Sequence, residues 1–112
     1  MYPSTIEFLK HIQSECHYLI KEYHTSSFEE FKNNERLTKA ICRSLEIIGE
    51  AANKVDLDLK NQHSEIPWRE ISDLRNRIIH HYFGIDYEII WDVVENEIPI
   101  LSKQVEHIIN NN

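Results

Sequence analysis

The chain has 112 residues, room for one domain of ordinary size and not for two. With 41% hydrophobic and 28% charged residues, wholesale disorder is excluded, and 2 Gly with 3 Pro are poor material for the many turns of a sandwich or barrel. Lys and Arg number 12 against 19 Asp and Glu, a formal charge of −7, so a polyanion could be held only by a local basic patch.

The first predicted element is an amphipathic helix over about residues 4 to 24. Ser4 and Glu7 have capping-box spacing, and Ile6, Leu9, Ile12, Cys16, Leu19 and Tyr23 recur every three or four residues. A polar break from His24 to Ser27 precedes a short helical turn at Phe28 to Lys32, after which Asn33 and Asn34 offer a second cap. Leu37, Ile41, Leu45, Ile48, Ala52 and Val55 then form one stripe of a second long helix. Gly49, Ala51 and Ala52 allow a neighbour to approach it closely. Residues 56 to 66 carry no sustained period and read as a connecting loop.

Pro67 suits the first position of a third helix, which is expected to run to about His81 or Tyr82 and to end at Gly84. Asp86 can cap a fourth helix, whose stripe is Ile90, Val94, Leu101, Val105 and Ile108, with Pro99 expected to kink or break it. The fold class is therefore all-α, a single domain over residues 1–112 built as a four-helix up-and-down bundle with a short extra helical turn. Cys16 and Cys42 fall on apolar stripes and read as reduced, buried thiols. No apolar run exceeds four residues, and no basic region precedes a hydrophobic one at the N-terminus. Neither a signal peptide nor a membrane span is expected, and the cytoplasm follows.

Charge is uneven along the chain. Residues 86 to 112 hold six acids and one base, net −5, whereas residues 67 to 84 hold Arg69, Arg75 and Arg77 against Glu70 and Asp73, net +1. On an ideal helix with Arg75 at zero, Ile71, Leu74 and Ile78 fall between about 260° and 320°, a core stripe. Ile79, Phe83, Asn76 and His80 fall at about 40°, 80°, 100° and 140°, with Tyr82 near −20°. Two large apolar groups opposite the core stripe predict a second packed surface, most simply another copy of the chain around a two-fold axis.

Arg75 offers a fixed planar cation suited to phosphate, and His80 can give or take a proton near neutral pH. RNA carries its own nucleophile in the 2′-hydroxyl, so its cleavage needs a base, an acid for the leaving 5′-oxygen and cationic stabilisation, with no obligatory metal. Two copies would supply two histidines and two arginines to one cleft. On one ideal helix Arg75 and His80 stand roughly 140° apart, so they converge only through the length of Arg75, distortion of the helix end or a second subunit. The alternative for an Arg, a His and a Tyr at a helix end is a solvated cation, an imidazole favourable to the dipole and a half-buried ring. His11, His17, His24, His63 and His107 show no metal-ligand spacing with a carboxylate, and no phosphate-cradling glycine loop or Ser/Cys nucleophile motif occurs, so no metal or cofactor is expected.

The stretch Arg75-Asn76-Arg77-Ile78-Ile79-His80-His81-Tyr82 resembles the Arg-x4-His-x-Tyr motif of HepT-like proteins in the HEPN superfamily. Ile47-Ile48-Gly49-Glu50-Ala51-Ala52, Ile66-Pro67-Trp68 and Tyr87-Glu88-Ile89-Ile90-Trp91 are similar to that family's other signatures, so the resemblance covers roughly residues 36 to 102. It implies an all-helical homodimer acting as the toxin of a prokaryotic toxin–antitoxin pair, a metal-independent endoribonuclease. Arg75 and His80 are the implied catalytic pair, Asn76 the supporting, orienting residue, and Tyr82 the target of AMP transfer by a minimal nucleotidyltransferase antitoxin. AMP on Tyr82 would set bulk and negative charge beside Arg75 and block a phosphate. His81, in the motif's free position, is a second imidazole whose angle of about 240° points to the core edge. A noncatalytic interaction module, bound and modified by the same nucleotidyltransferase through the acidic fourth helix, is the alternative.

Overall fold

The computed structural model describes residues 3–80 and 84–111, with Pro3 and His80 described by their backbone alone. The described chain is helical apart from one two-residue ladder.

Helix α1 spans Pro3–Thr25. Its stripe of Leu9, Ile12, Cys16 and Leu19 is fully buried. It begins one residue before Ser4, which therefore lies in the first turn, with proline at the helix start where its missing N–H costs nothing. A short helix α2, Phe28–Asn33, is capped by Ser27, whose side chain accepts from the Glu30 N–H. Asn34 caps α3, Glu35–Lys54, by accepting from the Leu37 N–H at 3.1 Å. All of the expected α3 stripe from Ile41 to Val55 is buried, and α3 packs against α1 on one side and the motif segment on the other.

The expected loop after α3 contains a helix. Leu57–Gln62 forms α4, held by one buried side chain, Leu59. A helix anchored by a single residue repeats no apolar period, which is why the pattern of residues 56 to 66 reads as irregular. Beyond it, α5 spans Trp68–Ser72 and α6 spans Leu74–Ile78. Pro67 stands just outside α5 rather than at its first position. The two short helices meet at Asp73, whose N–H still reaches the Arg69 carbonyl while Arg77 N–H reaches that of Asp73.

The third helix does not run to His81 or Tyr82. It ends at Ile78, and Ile79 turns extended with φ −112° and ψ 121°. Strand β1, Ile79–His80, then pairs antiparallel with β2, Gly84–Ile85, in the register Ile79 with Ile85 and His80 with Gly84. Gly84 thus serves a strand pair, not a helix end. Its φ of 82° is the left-handed region that glycine alone enters at little cost.

Asp86 caps α7, Tyr87–Asp92, through its carboxylate and the Ile89 N–H at 3.1 Å. Pro99 neither stops nor simply breaks the fourth helix. The chain widens into a π-helical turn, Val93–Glu97, with Ile98 N–H bonded to the carbonyl five residues back, and continues as α8, Ile98–Asn110. Proline lacks the N–H for a normal bond and its ring crowds the carbonyl four residues earlier; the wider turn accommodates both. Ile90, Val94, Leu101, Val105 and Ile108 all reach the core, joined by Val93 and Ile98 around the widened turn. Helix α8 packs along α1. No helix among the described residues is long and apolar enough to cross a membrane.

Candidate functional site at the end of α6

The motif is carried on a junction between two kinds of backbone. Arg75 and Asn76 project from α6, while His80 belongs to β1. Two β-branched residues, Ile78 and Ile79, occupy the changeover, a pairing that favours extended chain. Ile78 is completely buried as the last helical residue. Had the helix continued, Ile79 would have faced away from that core; turned extended, it packs partly buried against the core of the same chain. The second apolar surface expected from the helical angles is therefore satisfied internally as far as Ile79 is concerned. Phe83, like His81 and Tyr82, lies outside the described residues.

The same changeover removes the basis of the 140° separation between Arg75 and His80, because a 100° step per residue holds only within a helix. The 140° figure therefore does not apply to this pair. The junction is tied by backbone bonds: the Ile78 carbonyl, left over at the helix end, accepts from the Asp86 N–H at 3.2 Å. That places β1 and the capping residue of α7 side by side.

The two arginines of α6 have different fates. The Arg75 side chain is exposed and makes no hydrogen bond or ion pair among the described residues. Arg77 forms a two-point fork with Glu97, Nη1 donating to Oε1 at 3.0 Å and Nη2 to Oε2 at 2.7 Å. That carboxylate holds the Arg77 guanidinium above its ordinary pKa, against the opposing effect of partial burial. Asn76 is also exposed, and its Nδ2 donates to Oδ1 of Asp73 at 2.6 Å, one turn back. The amide is thereby held by the residue at which α5 meets α6. Asp73 and Glu97 were not legible as site neighbours. The first falls in the middle of the expected third helix, and the second stands 20 positions from Arg77.

A groove of about 850 Å³ runs beside α5, lined by Lys60, Arg69, Asp73 and Arg77 among others; Arg75 is not among its lining residues. Among the described residues no three His, Cys, Asp or Glu side chains are grouped so as to hold a metal ion. Both thiols are buried and free, their pKa values pushed up by burial, Cys16 to about 12 and Cys42 to about 11. Neither is activated as a nucleophile.

The model of the family described as "Ribonuclease HepT-like" matches residues 12–108. The chain is 46% identical over 102 residues to "Putative RNase TTE0752" of Caldanaerobacter subterraneus subsp. tengcongensis, covering 91% of each chain. It is 46% identical over 85 residues to "Putative RNase MJ0127" of Methanocaldococcus jannaschii, covering 76% of this chain and 70% of the other. To "Probable ribonuclease HepT" of Thermococcus cleftensis it is 42% identical over 81 residues, 72% of this chain and 74% of the other. No solved structure matches the chain.

Proposed function

The chain belongs to the Ribonuclease HepT-like family, and from that premise we propose that it is a metal-independent endoribonuclease, active as a homodimer and serving as a toxin. The observation that carries the proposal is the contrast between the arginines of α6. Arg77 is committed to Glu97, while Arg75, which matches the motif position, stands exposed with no partner among the described residues. A guanidinium left in this state inside an acidic chain is suited to a ligand's anion, and a phosphodiester fits its planar fork.

In the proposed reaction His80 of one copy takes the proton of the RNA 2′-hydroxyl. The 2′-oxygen attacks phosphorus, and the bond from phosphorus to the 5′-oxygen breaks. His80 of the second copy protonates the departing 5′-oxygen, leaving a 2′,3′-cyclic phosphate and a 5′-hydroxyl. Arg75 stabilises the negative charge that grows on the phosphoryl oxygens, and Asn76, held by Asp73, orients the substrate beside it. Control comes from a nucleotidyltransferase antitoxin that moves AMP from ATP to the Tyr82 hydroxyl, releasing pyrophosphate. The acidic α7–α8 surface is the side offered to such a partner.

The test is RNA cleavage by the purified, unmodified protein in excess EDTA, with Arg75→Ala and His80→Ala compared by sedimentation as well as by activity. Cleavage by wild type alone, from three equally dimeric proteins, is the expected result. Equal cleavage by all three removes the assigned roles. Toxicity lost only in Tyr82→Phe, with no cleavage by any form, points to the noncatalytic interaction module.

A further inference from the structure

The π-helical turn ends on Glu97, and Glu97 is the residue that holds Arg77. These two features belong together. A π turn carries one more residue than an α turn, so it rotates everything after it about the helix axis. Glu97, at the last position of the turn, meets Arg77 with two parallel bonds rather than one. A bidentate fork fixes direction as well as distance. Arg77 in turn lies midway between Arg75, two residues before it, and Ile79, where the backbone becomes extended. One residue past Arg77, the Ile78 carbonyl accepts from the Asp86 N–H. The end of α6 is thus held from two sides, by a side-chain fork to the π turn and by a backbone bond to the start of α7.

We propose that the Arg77–Glu97 fork is a positioning device for the nuclease site, setting the rotation of α6 and the point at which the chain departs toward His80. The inference rests on the ribonuclease reading and extends it to two residues that touch no substrate. Its side chains are about two-thirds buried, so the pair adds some stability. What the two-point geometry supplies beyond that is angle. A displacement of about 1 Å at a reacting group can cost about a hundredfold in rate, and Arg75 and His80 flank Arg77 along the chain.

The experiment measures steady-state cleavage of a single-stranded RNA oligonucleotide by the full chain, comparing wild type, Arg77→Lys and Glu97→Gln, with Arg75→Ala as the control for the underlying reading. Lysine keeps the charge and loses the fork; glutamine keeps the shape and loses the charge. The expected result is a fall of at least about tenfold in kcat with KM within about twofold of wild type, in both variants. An unchanged kcat, or a change confined to KM, overturns the positioning role. Should wild type and Arg75→Ala both leave the RNA intact, the ribonuclease reading fails on its own. The positioning role is then read from the imidazole NMR resonances of His80. Glu97→Gln is expected to move them while leaving those of His11, on α1, in place, and unmoved His80 resonances overturn it.

Discussion

Gly49 of α3 lies so close to Ile71 of α5 that a Cβ on the glycine would stand 3.1 Å from the Ile71 carbonyl oxygen, and 3.4 Å from that of Ser72. The missing side chain lets the motif segment rest directly on the long helix behind it. In Gly49→Ala the gain in helix propensity, about 1 kcal/mol, is set against the overpacking of two backbone carbonyls, about 1–3 kcal/mol. Carbonyls inside a helix cannot swing aside as a side-chain tip can, so the net is destabilising. We expect a fall of about 1 kcal/mol, or about 4 °C in Tm, measured by thermal unfolding. An unchanged or raised Tm would show that α5 yields without cost.

Asn76 and Asp73 separate orientation from contact. Their bond joins two exposed side chains, so losing it costs stability less than about 1 kcal/mol. Asn76→Ala removes the amide, whereas Asp73→Ala leaves the amide present but unheld. RNA cleavage is expected to fall further in Asn76→Ala than in Asp73→Ala, with both proteins folded by circular dichroism. The reverse order would place the functional role on Asp73.

The thiols set an alkaline limit. Burial raises Cys16 to about 12 from 9.0 and Cys42 to about 11, so both stay protonated in the folded chain at pH values where the unfolded chain ionises. The unfolded state then binds fewer protons, and stability falls as pH rises. This contribution is intact below about pH 9 and is lost between about 9 and 12. Melts across that range should steepen downward in wild type and less so in Cys16→Ala. In the native protein at pH 8 both thiols should resist an aromatic disulfide reagent and react only on denaturation. Rapid labelling of the native chain would contradict their burial.

Tyr82 is expected to carry AMP when the chain is coexpressed with a small nucleotidyltransferase and ATP is present. Intact-mass spectrometry reads the addition, Tyr82→Phe abolishes it, and the modified protein loses RNA cleavage because the added phosphate repels the substrate's own. A mass addition that persists in Tyr82→Phe assigns the modification elsewhere.

Asp86 supplies the cap of α7 while its N–H holds the end of α6. In Asp86→Ala the cap is lost at a cost of about 1 kcal/mol, and the backbone bond remains. A loss of Tm of about that size is expected by thermal unfolding, and an unchanged Tm would assign the start of α7 to packing alone.

Periodicity alone was enough for the helical class, the stripes of α1, α3 and α8, and the caps at Asn34 and Asp86, because each is decided within a few residues by spacing or by a side chain reaching its own backbone. The Arg75, Asn76 and His80 positions were marked by resemblance to a family motif, which periodicity alone did not supply. Three things were not local. The helix stops at Ile78 because Ile79 finds burial by turning extended and because Asp86, eight residues on, takes the freed carbonyl. Helix α4 exists because one leucine reaches a core built by other segments. The Arg77–Glu97 fork joins residues 20 apart, one of them on a π turn. Sequence determines the preferences of each stretch; only the tertiary structure decides where they yield, since burial and hydrogen-bond partners are supplied by segments that no local pattern contains.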